Sequence, residues 1–232
     1  VTILTVIQQA AALCNMPVPT AVISSSDADT MQMLALAQAE GDETAAAFDW
    51  RTIKVLWSMT GDGTTTLFSL PADFDRIAPG TPFYSSAYPL MPLIGPVLDA
   101  QLVGMKAFPV QPVRPVWRLW GGSIEIWPAL ASTDTITGEY RSKNWILGAD
   151  GVSRQYQFMT DADTSLIPER ILKLGVVWRW KQAKGLEYAE DYRTWDNERA
   201  RAGGHDSGNK TIDMSGRSVM PATYWPVVTP TC

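Results

Sequence analysis

The chain has 232 residues, of which 46% are hydrophobic and 19% charged, with 24 acidic against 19 basic side chains and a formal charge of −5. That describes a folded globular protein with room for one sizeable domain or two small ones. Without a Lys/Arg run, the acidic balance argues against specific nucleic-acid binding, although DNA could pass nearby without sticking.

Residues 1–13 lack the basic start of a signal peptide, and no stretch approaches the roughly 20 apolar residues that span a bilayer, so a soluble protein, or a soluble part of an assembly, is expected. Cys14 and Cys232 have neither metal-ligand spacing nor the number for a disulfide framework, which points to a reducing compartment.

Taken in order, residues 2–14 place Ile3, Val6, Ile7, Ala10 and Leu13 on one helical face, and Asn15, Pro17 and Pro19 end it. Ser26 or Asp27 can cap a second helix that runs to about Phe48. Its expected inner side carries Met31, Leu34, Ala35, Gln38, Ala45 and Phe48, with Gly41 as the site of a local bend.

From Thr52 the hydrophobic period changes to two. Ile53, Val55 and Trp57, a Gly61-Asp62-Gly63 turn and a return over 66–70 predict a β-hairpin. Residues 79–96 hold five prolines and predict an extended loop. Pro96 can open a short helix over 97–106, with Leu98, Leu102 and Met105 on one face. A second hairpin over 116–128 turns at Gly121-Gly122, which can take positive φ, and strands follow at 135–140 and 154–158.

The stretch 167–201 carries two helices. Pro168 suits a first helical position, and Glu169 complements the helix dipole. Ile171, Leu174 and Trp178, with Leu172, Val176 and Trp180, make the first helix apolar over most of its circumference. Gly185 is the natural stop, the competing reading being one helix kinked there. Beyond it, Leu186, Ala189, Tyr192 and Trp195 keep one apolar stripe.

The expected fold class is thus α+β. N- and C-terminal helices (1–50 and 161–202) form a helical bundle, a small antiparallel β-sheet (51–160) is inserted between them, and an extended C-terminal arm (203–232) follows. The arm is too apolar for a plain linker and too rich in Gly and Pro for a domain, which suits a segment that orders against a partner.

Chemistry is hard to assemble. The only histidine, His205, falls in the glycine-rich start of the arm, so Ser-His-Asp and Cys-His arrangements lack their base. Asp27 with Asp29, and Asp161 with Asp163, each precede a predicted helix, where capping is the ordinary role. Asp73 and Asp75 read as turn residues, and no phosphate-binding loop is present. No catalytic residue, metal site or cofactor is therefore expected. Trp178 and Trp180 point to opposite sides of one helix, one to the core and the other to the sheet or a neighbouring subunit. Trp117, Trp120 and Trp127 suit packing or a subunit contact, the alternative being a stacking surface for sugar or single-stranded nucleic acid.

The order of elements, with the phrases FDWRTI, TLFSLPADFDRI, PLIGP, WRLWGGSIEIWP, EYRSKNW and WRWKQAKGLEYAEDY, resembles the tailed-bacteriophage head-to-tail adaptors, also called connector or head-completion proteins. The likeness covers about residues 1–200. It implies a non-enzymatic structural protein of the virion neck, assembled in the host cytoplasm. Copies would form a ring, usually of twelve, between the portal protein and a downstream stopper, nozzle or tail protein, with genomic DNA passing through the lumen and no membrane involved.

On that plan Met214, Val219, Met220, Tyr224, Trp225, Val227 and Val228 would anchor the arm on the portal. Trp117, Trp120, Trp127, Phe83, Tyr84 and Tyr88 would make subunit or tail-side contacts, and the 79–96 loop is a candidate for the lower contact or the lumen. The alternative function is a carbohydrate-binding or hydrolytic tail component that uses the Trp-rich hairpin with Asp73 or Asp75.

Overall fold

A computed structural model describes residues 1–78, 80–108 and 111–206. In chain order these form α1 (Ile3–Leu13), α2 (Ala28–Ala47), β1 (Lys54–Thr60), β2 (Leu67–Ser69), β3 (Phe74–Arg76), β4 (Tyr84–Ser85), β5 (Tyr88–Pro92), α3 (Asp99–Ala107), β6 (Val116–Trp120), β7 (Ser123–Trp127), β8 (Thr135–Ser142), β9 (Ile146–Leu147), β10 (Arg154–Gln155), β11 (Thr164–Ser165), α4 (Glu169–Ala183) and α5 (Ala189–Asp206). The fold is mixed α+β, and every strand pair within its small sheets is antiparallel.

The buried helix α4 packs against α1, α2 and α5. Ile171, Leu172, Val176 and Val177 meet Ile3, Val6, Ile7 and Ala10 of α1 and Met33 and Ala37 of α2 in one apolar cluster. Trp178 and Trp180 both belong to that cluster, each only 8% exposed. Neither is left for the sheet or a neighbouring subunit, because Tyr188 before α5 and Tyr192 and Trp195 within it cover Trp178, and Lys184 lies over the Trp180 ring.

Gly185 ends α4. Its φ is +70°, its N–H donates to the Gln182 carbonyl at 3.1 Å, and the Leu186 N–H donates to the Lys181 carbonyl at 2.8 Å. This paired pattern satisfies the last carbonyls of α4 and turns the chain toward α5.

The buried side of α2 matches the predicted one only in part: Ala45 is buried and Leu34 and Phe48 pack against the core, but Ala35 is exposed. Thr30, Met33, Ala37, Glu40, Gly41, Thr44 and Ala45 face inward, whereas Met31 is 55% exposed. The reading missed the rest because three of those inward residues are polar and find partners inside. The helix α2 continues through Gly41. A Cβ at Gly41 would stand 1.9 Å from the Trp145 ring, so its bare backbone is the seat for that indole.

The predicted hairpin over 53–70 does not form. β1 pairs with β8 from Lys54↔Arg141 to Thr60↔Thr135, and β2 pairs with β7 in a different sheet. The glycine turn is tied elsewhere: the Gly61 N–H donates to the Asp134 carbonyl and the Gly63 N–H to the Leu130 carbonyl, both at 2.9 Å. Asp62 meanwhile accepts from the Thr64 and Thr65 N–H groups and holds the chain turned away from β1.

One sheet runs β1-β8-β4-β5, with β3 also on β8; a second runs β2-β7-β6 and a third β10-β9-β11. Met59, Phe83, Trp117, Ile124, Ile126 and Ile136 fill a second apolar cluster between the first two sheets. The 116–128 hairpin forms as expected, with Gly121 at φ 54° and Gly122 at φ 78°. The 79–96 stretch is not simply a loop, for β4 and β5 make the outer margin of the first sheet, where prolines are tolerated.

At the C-terminal end α5 continues through Gly203 and Gly204 to Asp206, past the predicted boundary at 202. A Cβ at Gly203 would lie 2.4 Å from the Phe48 ring, so the glycine is a packing site and not a break. His205 therefore sits on a helix instead of a glycine-rich arm.

Candidate interaction surfaces

The helices are locked by one carboxylate. Glu40 of α2 has no exposed surface, and it accepts from the Thr44 hydroxyl at 2.7 Å, the Trp195 indole N–H of α5 at 2.8 Å and Arg179 Nε of α4 at 2.9 Å. Gly175 leaves the room it needs, since a Cβ there would come within 2.4 Å of its side chain. Burial pushes the Glu40 carboxyl above its usual range, against the pull of these partners.

A buried cation joins helices to sheet. Arg141 of β8 is fully buried and donates to the Ala45 carbonyl at 2.8 Å, to Asp49 Oδ1 at 2.8 Å and to the Phe48 carbonyl. These groups close the C-terminal end of α2, whose last turn has no basic residue of its own, so the guanidinium supplies the charge that the helix dipole favours there. Arg76 adds a bond to the Ala46 carbonyl at 2.9 Å. The sheet thereby has a fixed bearing on the helices.

The aromatic candidates divide by burial. Phe83 is fully buried and Trp117 is 3% exposed, their rings 4.9 Å apart edge to face. Both belong to the sheet core and are removed from the contact surface, because inward positions on β6 and beside β4 face the apolar cluster. Trp127 is half-buried. Trp120 is 51% exposed at the hairpin tip, with the Arg118 guanidinium 4.3 Å from its ring centre. Tyr84 and Tyr88 are 43% and 39% exposed on the β4–β5 margin. Leu90 and Met91, which sequence reasoning passed over, stand out beside them at 92% and 55%. The signal available for them was a chargeless run between Arg76 and Asp99.

The arm residues Met214, Val219, Met220, Tyr224, Trp225, Val227 and Val228 lie outside the described residues. A cleft of about 500 Å³ lined by Trp50, Pro168, Arg201, His205 and Asp206 lies at the end of α5, where the described residues stop.

The aspartates are structural in different ways. Asp27 caps α2 through the Thr30 N–H at 2.9 Å, as expected. Asp161 and Asp163 do not cap α4, whose start is occupied by Pro168; their main-chain carbonyls accept from the Leu4 and Ile3 N–H groups at the start of α1. Asp161 instead accepts from the Ile23 N–H at 2.8 Å, and Asp163 gathers the Met159, Thr160 and Ala149 N–H groups. Burial would raise the Asp163 carboxyl, but these donors outweigh it and hold it below the usual range. Asp73 is taken by the Tyr140 and Ser142 hydroxyls at 2.8 and 2.6 Å. Among the described residues no three of His, Cys, Asp and Glu come together in a metal-holding group, and no helix is long and apolar enough to cross a membrane.

A stacking triad on the 116–128 hairpin is thus reduced to one exposed ring beside an arginine. What the molecule presents is a sheet joined to helices, with uncharged side chains exposed along its β4–β5 margin. A model of the SU10 adaptor protein family matches residues 1–218. The chain belongs to that family, one of phage head-to-tail adaptors. The match spans both helical regions, the sheet region between them and the start of the C-terminal segment. No curated protein matches the chain. Family membership makes it a structural component of the virion neck that associates with portal and tail components.

Proposed function

We propose that this adaptor forms a closed ring, of twelve copies as the resemblance implies, between the portal and the downstream stopper, nozzle or tail protein, with genomic DNA passing through its lumen. The observation that carries the reading is the family match over residues 1–218. On this reading the molecule divides into helical regions at 1–50 and 161–206, a sheet region between them and a C-terminal arm. The arm, with Met214, Val219, Met220, Tyr224, Trp225, Val227 and Val228 as anchors, runs onto the portal, leaving the body at Asp206. Tyr84, Tyr88 and Trp120 contribute to subunit or tail-side contacts. The protein acts by shape and adhesion and not by catalysis, and it assembles onto heads in the host cytoplasm. A formal charge of −5 lets the duplex slide through such a ring, since a basic lumen would retain the phosphates.

The test is truncation after Asp206, which removes the arm and spares α5. Full-length chain should co-sediment with purified portal rings while the truncated chain, folded by circular dichroism, stays in the supernatant. Co-sedimentation of the truncated chain would overturn the arm assignment.

A further inference from the structure

We infer that neighbouring copies join margin to margin, the β4–β5 edge of one seating against the β1 edge of the next. The inference rests on the ring reading above and names the surfaces that would build it.

The strand order β1-β8-β4-β5 puts β1 and β5 at opposite margins of one sheet. Register places Leu56 of one margin and Tyr84 of the other on the same solvent face. Ser58 and Tyr84 both pair with Thr137 of β8, and Leu56 lies two residues along β1 from Ser58. Leu56 is 69% exposed, and Tyr84, Leu90 and Met91 mark the far margin.

The β4–β5 margin is chemically unusual. Between Arg76 and Asp99 the chain has no Asp, Glu, Lys, Arg or His. Edge strands of soluble proteins are commonly guarded by charge, by proline or by cover. Here the two strands carry no charge of their own, a guanidinium from outside them, Arg114, donates to the Pro92 carbonyl at 3.0 Å, and Pro89 and Pro92 remove backbone donors from β5. A proline-bearing edge resists indefinite sheet growth yet leaves its apolar side chains to be covered, so it suits a specific side-chain contact.

The β1 margin offers the complement. Beside Leu56 lies a recess of about 380 Å³ lined by Arg51, Lys54, Val55, Leu56 and Glu139. Lys54 and Glu139 pair with each other at 3.4 Å, which leaves the Arg51 guanidinium as the charge that an uncharged incoming margin must meet. Arg51 can lie over a tyrosine face of the incoming margin. Both halves of the contact belong to every copy, which is why a second copy is the occupant and not a tail component. The contact is head-to-tail, and such contacts propagate until they close a ring.

Sedimentation velocity on the full-length chain tests this, using Leu90→Glu, Leu56→Lys and their equimolar mixture, with circular dichroism to confirm that both exposed substitutions leave the fold intact. The wild type should self-associate, and each variant alone should lose apparent association by at least about thirtyfold. The mixture should regain association, because Leu90→Glu keeps a sound β1 margin, Leu56→Lys keeps a sound β5 margin, and the two altered margins carry opposite charges where they meet. Association that survives in either single variant, or a mixture that stays monomeric, overturns this contact and leaves the ring reading standing. A wild type that is monomeric at every concentration also overturns the contact; ring formation on the portal is then read by electron microscopy of the portal complex.

Discussion

Gly41→Ala puts local preference and tertiary packing in direct opposition. In an isolated helix, alanine is favoured over glycine by about 1 kcal/mol, so α2 considered alone should gain from the change. In the folded protein the new Cβ would stand 1.9 Å from Trp145 Cη2 and 2.2 Å from Cζ2, well inside any van der Waals contact. The indole cannot give easily. It is 1% exposed, meets Phe158 edge to face at 5.3 Å, and donates Nε1 to Asp42 Oδ1 at 2.7 Å. Overpacking of this kind costs about 1–3 kcal/mol, and a displaced indole hydrogen bond about 1 kcal/mol more. After the helix gain is subtracted, the net loss should be about 1–3 kcal/mol. Urea denaturation followed by far-UV circular dichroism reads it as a lower midpoint at an unchanged slope. Gly104→Ala in α3, where a Cβ meets nothing within 4 Å, is the control and should be stabilising by about 0.4–1 kcal/mol. If Gly41→Ala were as stable as the wild type, Trp145 would not be seated on α2, and the packing of the 145 region on the helices would be wrong.

Other substitutions probe the remaining joints. Glu40→Ala strands the Trp195 indole N–H and weakens the hold on Arg179, although Glu43 keeps one of its nitrogens at 2.6 Å; a loss of about 3 kcal/mol is expected by the same denaturation assay. Trp117→Ala empties the sheet core and should cost about 3–5 kcal/mol, whereas Trp120→Ala, at a half-exposed hairpin tip, should change the urea midpoint little. Asp163 has a depressed folded-state pKa, so its contribution is fully present above the unfolded value of about 3.9 and is lost as pH falls through the lower folded value. Asp163→Asn should therefore be destabilising by about 2 kcal/mol at neutral pH, with the gap to wild type closing below about pH 4; a gap that is constant with pH would contradict the assigned ionisation.

Local punctuation was legible where one residue decides the geometry. Asp27 as a cap, Gly185 as a stop and Gly121-Gly122 as a hairpin turn follow from backbone chemistry alone, and the structure has all three. Partner choice at a distance was not legible. Nothing in residues 53–70 says that Gly61 will bond to Asp134, so the nearest strand was assigned as the mate of β1 when the true mate lies eighty residues on. Glu40 and Thr44 are absent from the expected inner side of α2, yet both are buried, Glu40 because Arg179 and Trp195 meet it there and Thr44 because it donates to Glu40. Gly41 read as a bend in a helix and Gly203 as the start of the arm, yet each is the place where an aromatic ring from elsewhere lies against the backbone. For the surface, aromatic content was a poor guide and missing charge a better one: Phe83 and Trp117 went to the core, while the uncharged run that holds Leu90 and Met91 went to an edge.

A reconstruction of the virion neck from intact particles, with this chain traced in the density, tests the adaptor assignment most directly. The account predicts a ring of this chain between portal and tail, with its sheet margins in subunit contacts and the residues after Asp206 against the portal. Density for the chain anywhere other than the neck, or copies at the neck that do not encircle the DNA channel, would contradict it.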